Sequence, residues 1–291
     1  MQTDTRKPSF TSFASPFNVI ILTIGIVFTA LLGWQYFKLD QISKSLTNQS
    51  MAFKDEAEFN AAVAKAFNKF VDDKKKALTQ EKLQKYTAAP STVANGKHIY
   101  GSTDARFTLV EFSDMECPFC KRFHDTPKQI VDASKGNVNW QWMHLPLGFH
   151  NPAAKDEAIA SECVAEELGN RAFWAFLGDV FSLSRGNGQG VANLSEVATD
   201  LGADKAKFLE CISSGRFEDK VNEHVQKAQS QGIGGTPATV VVDNQTGKFQ
   251  LVSGAQPAQA LMAAIGKLKA EAEETAEDQN SSTAPQQDPK G

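Results

Sequence analysis

Residues 107–123 read FTLVEFSDMECPFCKRF, from Phe107 to Phe123. Phe107–Phe112 is a short apolar run with a single acid, the pattern of a buried strand. After the four residues 113–116 comes Cys117-Pro118-Phe119-Cys120, and Cys117–Ser134 carries a helical pattern that Pro127 is expected to kink. A strand that feeds a Cys-x-x-Cys at a helix start has a chemical meaning. The helix N-terminus offers unpaired N–H groups and about half a positive charge, and both stabilise a thiolate on the first cysteine. A free thiol with a pKa of about 8.5 is mostly protonated at neutral pH, whereas such sites bring it to about 3.5–7. Two intervening residues let the second sulfur reach the first, so one thiol attacks and the other resolves the mixed disulfide.

Other uses of this motif fit less well. Haem attachment needs a histidine directly after the second cysteine, and Lys121 stands there. Zinc needs four ligands in a closed site. Cys117, Cys120 and His124 make three, no second Cys-x-x-Cys completes the set, and we assign no metal. A short structural disulfide does not account for the strand before it and the helix after it.

Glu111 lies six residues before Cys117 on the strand. Its side chain either points beneath the cysteine pair, where a buried carboxyl of raised pKa relays a proton to or from Cys120, or lies exposed on the other face. Asp114 and Glu116 read as loop or capping residues, with Asp114 a candidate N-cap and both charges slightly opposing the thiolate. A second element is Gly232-Ile233-Gly234-Gly235-Thr236-Pro237, ahead of a strand at Ala238–Val242. A cis Pro237 would leave the Thr236 backbone free to pair with an extended peptide; the alternative is an ordinary Gly-Pro turn.

Outward from these elements, Val138–Met143 alternates as a second strand, and residues 152–231 are helical in pattern with glycine breaks. The runs 238–242 and 248–252 form a hairpin across Asn244–Gly247, and Pro257–Lys269 closes as a helix. Residues 53–86 lack Gly and Pro and carry a stripe of Phe59, Val63, Phe67 and Phe70, a helical stalk after a polar linker at 38–52. The stripe reads as a solvated stalk packing partly on the body, with homo-oligomerisation through 53–86 as the sharper alternative. Phe17–Phe37, FNVIILTIGIVFTALLGWQYF, is uncharged and would span about 31 Å as a helix. It reads as an uncleaved transmembrane anchor, since a signal peptide needs a shorter run and a small-x-small cleavage site. Arg6 and Lys7 before it nearly balance Lys38 and Lys44 after it, so charge does not orient it.

The chain has 291 residues, four cysteines and a formal net charge of −4. Residues 271–291 hold six acids against Lys290, a net of −5, which leaves +1 for the rest. A near-neutral body argues against nucleic acid as the main partner. Residues 1–16 read as a short stub, 38–96 as linker and stalk, 97–269 as the body, and 270–291 as a disordered acidic tail.

Taken in order, these stretches resemble the DsbA-like thiol–disulfide oxidoreductases of the thioredoxin superfamily. TLVEFSDMECPFCKRF (Thr108–Phe123) is similar to the family's active-site strand and helix, MHLPLGFHNPA (Met143–Ala153) to its second strand and the segment after it, and GGTPATV (Gly234–Val240) to its cis-proline loop. Ala158–Gly169 with Ala172–Trp174 matches the start of its helical insert and Phe208–Gly215 the end, so the resemblance runs over about 97–268. Two features depart from the pattern: His144 stands where arginine is common, and the amino-terminal anchor occurs only in some members.

The resemblance implies an α/β thioredoxin-like fold with a helical insertion at about 152–231. Cys117 would be the exposed nucleophile, Cys120 the resolving thiol, Pro237 a cis proline facing them and Thr236 a contact to the substrate backbone. Pro118 and Phe119 would tune the redox potential, and no cofactor is implied. Cys163 and Cys211 lie in the insert and admit three readings: a second redox pair, buried thiols, or a structural disulfide that closes about 49 residues and adds roughly 4 kcal/mol. We favour the disulfide. His150 reads as a packing or capping residue, and His98, His144 and His224 receive no role. Gly186–Gly190 is not a phosphate loop, because no strand precedes it.

The expected protein is a membrane-tethered disulfide oxidoreductase acting on cysteine-containing proteins and recycled by a membrane partner. Oxidising chemistry would place its catalytic domain outside the cytoplasmic membrane and its amino terminus inside. The alternatives are an isomerase or reductase oligomerised through the stalk and a non-catalytic peptide-binding chaperone module.

Overall fold

A computed structural model describes the backbone of residues 16–50 and 55–282, and side chains at 29–46 and 55–275. The chain divides into two compact units, Met1–Asp72 and Asp73–Gly291.

In the first unit, helix α1 covers Pro16–Ser50 and helix α2 starts at Glu56 and runs to Gln84. The polar stretch from residue 38 is therefore helix rather than linker. It contains no Gly or Pro before Ser50, and Asp40 and Lys44 form an i,i+4 ion pair at 2.7 Å. Among the described residues no helix is long and apolar enough to cross a membrane. Much of the expected span, 17–28, has side chains outside the described residues.

The division at Asp72 falls within the expected stalk rather than at 96/97. The later turns of α2 carry their own anchors. Thr79 donates to the Asp200 carbonyl at 2.6 Å, Lys82 pairs with Asp179 at 2.8 Å, and Tyr86 beyond the helix is buried.

The second unit is built on a five-stranded sheet. Strands β1 (His98–Tyr100), β2 (Phe107–Ser113), β3 (Val138–His144), β4 (Ala238–Asp243) and β5 (Phe249–Ser253) lie in the order β1-β3-β2-β4-β5. β2 and β3 are parallel and the other pairs antiparallel. The crossover from β2 to β3 is α3 (Pro118–Phe123) and α4 (Asp125–Ala133). The expected single helix is thus broken at His124 rather than kinked at Pro127. A proline clashes with the carbonyl four residues earlier and cannot bond to it, and four residues before Pro127 is Phe123, where α3 ends.

Between β3 and β4 lie α5 (Ala153–Leu168), α6 (Asn170–Leu183), α7 (Leu194–Asp200), α8 (Lys205–Ser214) and α9 (Glu218–Ser230), the helical insertion within the α/β thioredoxin-like fold. The final helix α10 spans Ala258–Ser282. It continues through 270–282, which the charge pattern assigned to a disordered tail. Ala and Glu are strong helix formers there, and Lys248 ties the extension by bonding the Glu271 carbonyl at 3.1 Å and the Thr275 hydroxyl at 3.2 Å. The expected tail beyond Ser282 lies outside the described residues.

Register places Leu109, Glu111 and Ser113 on one sheet face with Trp140, Trp142, His144, Thr239 and Val241. This face joins α4, α10 and the insert in the main core, whose large side chains include Trp140, Trp142, Trp174, Phe173 and Phe176. Each such burial contributes about 1.5–3 kcal/mol, so the insert is part of the core and not an appendage. The opposite face buries Phe112, Met143 and Val240 against Ala228 and Ile233. Because both faces are covered, all seven residues of β3 are buried, although its sequence alternates like a half-exposed strand.

Candidate active site

β2 delivers the chain to Cys117, which caps α3 with extended backbone (φ −82°, ψ 121°), and Pro118 follows as the first helical residue. A proline fits there because the first helical N–H has no partner in any helix. Cys117 and Cys120 are both free thiols, and Cys117 is buried rather than exposed, since the Thr236 turn lies against it. The Cys117 thiol donates to the Thr236 carbonyl, with Sγ 3.6 Å from the oxygen. The Cys117 pKa is lowered to about 5: the Cys120 thiol donates to its sulfur, outweighing burial, and Thr236 and the N–H groups of Cys120 and Phe119 add to this. Cys120 is pushed the other way, well above its usual value, by burial and by the neighbouring Cys117. One sulfur is an anion at neutral pH and the other a neutral thiol beneath it.

Glu111 is fully buried, and neither carboxyl oxygen has a hydrogen-bond partner among the described residues. Burial pushes its pKa up to about 8, with Ser113 and Trp140 opposing the rise. Its charge in turn raises Cys120. The exposed-strand alternative for Glu111 is thus set aside. His124 is buried against the rings of Trp140, Trp142 and Phe181, and burial lowers it to about 4. Among the described residues no three His, Cys, Asp or Glu side chains are arranged to hold a metal ion.

The Thr236–Pro237 peptide is cis. It brings the Thr236 carbonyl to Cys117. Beside it lies an open groove of about 610 Å³, lined by Phe119, Arg122, Thr126, Thr236, Gln256 and Pro257. Phe119 is 54% exposed, and the Arg122 guanidinium sits 4.7 Å from its ring centre.

Asp114 does not cap α3; the cap is Cys117, with no side-chain bond. Asp114 turns inward instead and accepts from the N–H groups of Glu116 (2.8 Å) and Leu147 (2.9 Å) and from His150 (2.7 Å). Glu116 lies in the loop before α3, as expected, but is buried, and its carboxylate accepts from Ser184 and the Gly190 N–H. Cys163 of α5 and Cys211 of α8 are joined in a disulfide with Cα atoms 5.9 Å apart, which ties the insert's helices together.

A buried cluster escaped the sequence reading. Glu162 of α5 meets His98 of β1 at 2.9 Å, His144 of β3 at 3.0 Å and Lys220 of α9 at 2.7 Å. Burial alone would raise Glu162, but His98 and His144 overcome it and hold the carboxyl well below its usual range. The one available signal was His144, where the family often has arginine, a hint that a buried acid faces it.

Residues 92–267 match the family model described as Thioredoxin. The chain belongs to the thioredoxin family. Within the family it is DsbA-like. The structure of Pseudomonas aeruginosa DsbA2 is similar at 35% identity and a TM-score of 0.54, covering 59% of this chain and 94% of that one. BdbD from Bacillus subtilis shares the fold at 24% identity and a TM-score of 0.52, covering 62% of this chain and 96% of that one. A stretch of 144 residues is 30% identical to the Na(+)/H(+) antiporter NhaA 3 of Salinispora tropica, half of this chain but only 21% of that protein. The antiporter of Herminiimonas arsenicoxydans matches at 30% identity, with 22% of its length covered.

Proposed function

We propose that this thioredoxin-family protein forms or exchanges disulfide bonds in substrate proteins through Cys117 and Cys120. The observation that carries the reading is the opposed titration of the pair, Cys117 lowered to about 5 and Cys120 raised, with the Thr236 carbonyl against the reactive sulfur. In the oxidising direction, a substrate thiolate attacks Cys117 Sγ and breaks its bond to Cys120. The Cys120 thiolate released beneath it takes a proton from Glu111. A second substrate thiolate attacks the substrate sulfur of the mixed disulfide and expels the Cys117 thiolate. The substrate gains a disulfide and the cysteine pair gains two electrons. A thiol of low pKa leaves readily and stabilises the reduced pair, which makes the disulfide an oxidant. The Thr236 backbone, whose carbonyl lies against Cys117, meets the substrate chain beside the cis Pro237, and Pro118 and Phe119 flank the attacked sulfur.

The domain works outside the cytoplasmic membrane, tethered through residues 17–37, and a membrane thiol–disulfide partner reoxidises it. Insulin reduction and oxidative refolding of a reduced disulfide protein test the activity; full activity in Cys117→Ser overturns the mechanism. A second reading, an isomerase or reductase oligomerised through residues 53–86, is supported by Val63 and Phe67, 49% and 64% exposed on α2. Sedimentation of the full chain in detergent separates the two, since a monomer removes the oligomeric reading.

A further inference from the structure

The exchange steps use Glu111 and leave a second buried acid pair beside Cys117 without a role. Glu116 directly precedes the attacking thiol and is fully buried, as is Glu157 of α5. Each Glu116 oxygen takes a donor: Oε1 from the Ser184 hydroxyl, Oε2 from the Gly190 N–H at 2.9 Å. Its backbone carbonyl accepts from the Asn187 N–H at 2.7 Å. Glu157 Oε1 accepts from the Val191 N–H at 3.1 Å, and no group donates to its Oε2 among the described residues.

Two carboxylates cannot both stay ionised in one buried site. Glu116 already accepts donors on both oxygens, so the proton resides on Glu157, whose unfilled Oε2 carries it toward Glu116. Burial and then the Glu116 charge push Glu157 up to about 9, and Asp114 adds to the rise. The other polar groups facing the pair are His150, hydrogen-bonded to Asp114 at 2.7 Å, and Lys121, whose ammonium binds the Ser184 carbonyl at 3.1 Å.

All these bonds hold one segment, Ser184–Val191, between α6 and α7. It packs on the start of α3. Gly186 lies in the left-handed region (φ +75°), and a Cβ there would sit 3.2 Å from the Glu116 carbonyl oxygen and 3.5 Å from Pro118 Cγ. The segment therefore braces the residues on both sides of Cys117.

We propose that Glu116 and Glu157 are positioning residues for Cys117: one proton shared between them keeps Ser184–Val191 braced against the attacking thiol, and its loss frees the segment and changes the reactivity of that thiol. The proposal rests on Cys117 being the attacking sulfur.

The test is the alkylation rate of the reduced full chain by iodoacetamide, mapped by peptide mass spectrometry from about pH 4 to about pH 10.5. In the wild type the Cys117 rate rises near pH 5, levels off, and shows a second step near pH 9. Glu157→Gln keeps a donor toward Glu116 but has no proton to lose, so it retains the first rise and lacks the second step. Glu157→Ala removes the donor and lowers the neutral-pH rate about tenfold, the scale of a misplaced reacting group, and glutamine restores it. A wild type without the second step, or a Glu157→Gln profile that keeps it, overturns the proposal. If Glu157→Ala does not fold, the comparison of wild type with Glu157→Gln still decides. Label on Cys120 in place of Cys117 is a different result, and it overturns the assignment of the nucleophile.

Discussion

Replacing Glu111 with glutamine removes a buried acid that the fold holds protonated. The Glu111 pKa is raised from the usual 4.5 to about 8, and burial is the leading cause. The folded state therefore holds this proton over a pH range in which the unfolded chain has released it. Stability linked to Glu111 is complete below pH 4.5 and is lost as pH rises toward 8. Each pH unit in that window is worth about 1.4 kcal/mol. The wild type thus gives up about 1 kcal/mol by pH 5, about 3 by pH 7 and about 5 by pH 9, whereas Glu111→Gln gives up none of it. The assay is urea unfolding of the reduced protein at those three pH values. The variant is expected to match the wild type within about 1 kcal/mol at pH 5 and to exceed it by about 3 kcal/mol at pH 7. It should also release Cys120 more slowly in single-turnover exchange, because the proton donor is gone. Parallel stability curves for the two proteins would refute the reasoning, since an exposed or unshifted Glu111 has no such linkage.

Cys163→Ala with Cys211→Ala opens the loop between residues 48 apart and should lower stability by roughly 4 kcal/mol in guanidinium unfolding, with insulin reduction retained under folding conditions. Gly169→Ala places a Cβ in the left-handed region (φ +85°) against the Ser91 carbonyl oxygen, and thermal unfolding should show a loss of about 2 kcal/mol or more. Glu162→Leu leaves Lys220 and two histidines without their buried acid, and urea unfolding at neutral pH should report a loss of about 3–5 kcal/mol.

The elements that position the chemistry were legible because their signals are local. The apolar run at 107–112, the Cys-x-x-Cys opening a helix and the Gly-rich turn before Thr236–Pro237 each follow from backbone constraints on a few neighbouring residues. The His98–Glu162–His144–Lys220 cluster was not legible, because its members come from β1, α5, β3 and α9 and meet only through the fold. Glu116 misled for the same reason. In the sequence it is one more acid in a loop, and only the return of Ser184–Val191 from far along the chain buries it. The polar stretches at 38–50 and 270–282 read as linker and tail by composition, yet the first lacks Gly and Pro and the second is rich in Ala and Glu, and the Asp40–Lys44 ion pair and the Lys248 contacts decide in favour of helix.

The central claim is that Cys117 and Cys120 form one redox couple whose disulfide is an oxidant. Equilibrating the protein across a series of glutathione ratios and counting the free thiols by mass measures this directly. A single two-electron transition is expected at a potential well above the roughly −270 mV of thioredoxin, confined to Cys117 and Cys120 and abolished in Cys117→Ser. A pair that stays reduced across the whole series, or a transition that survives Cys117→Ser, would contradict it.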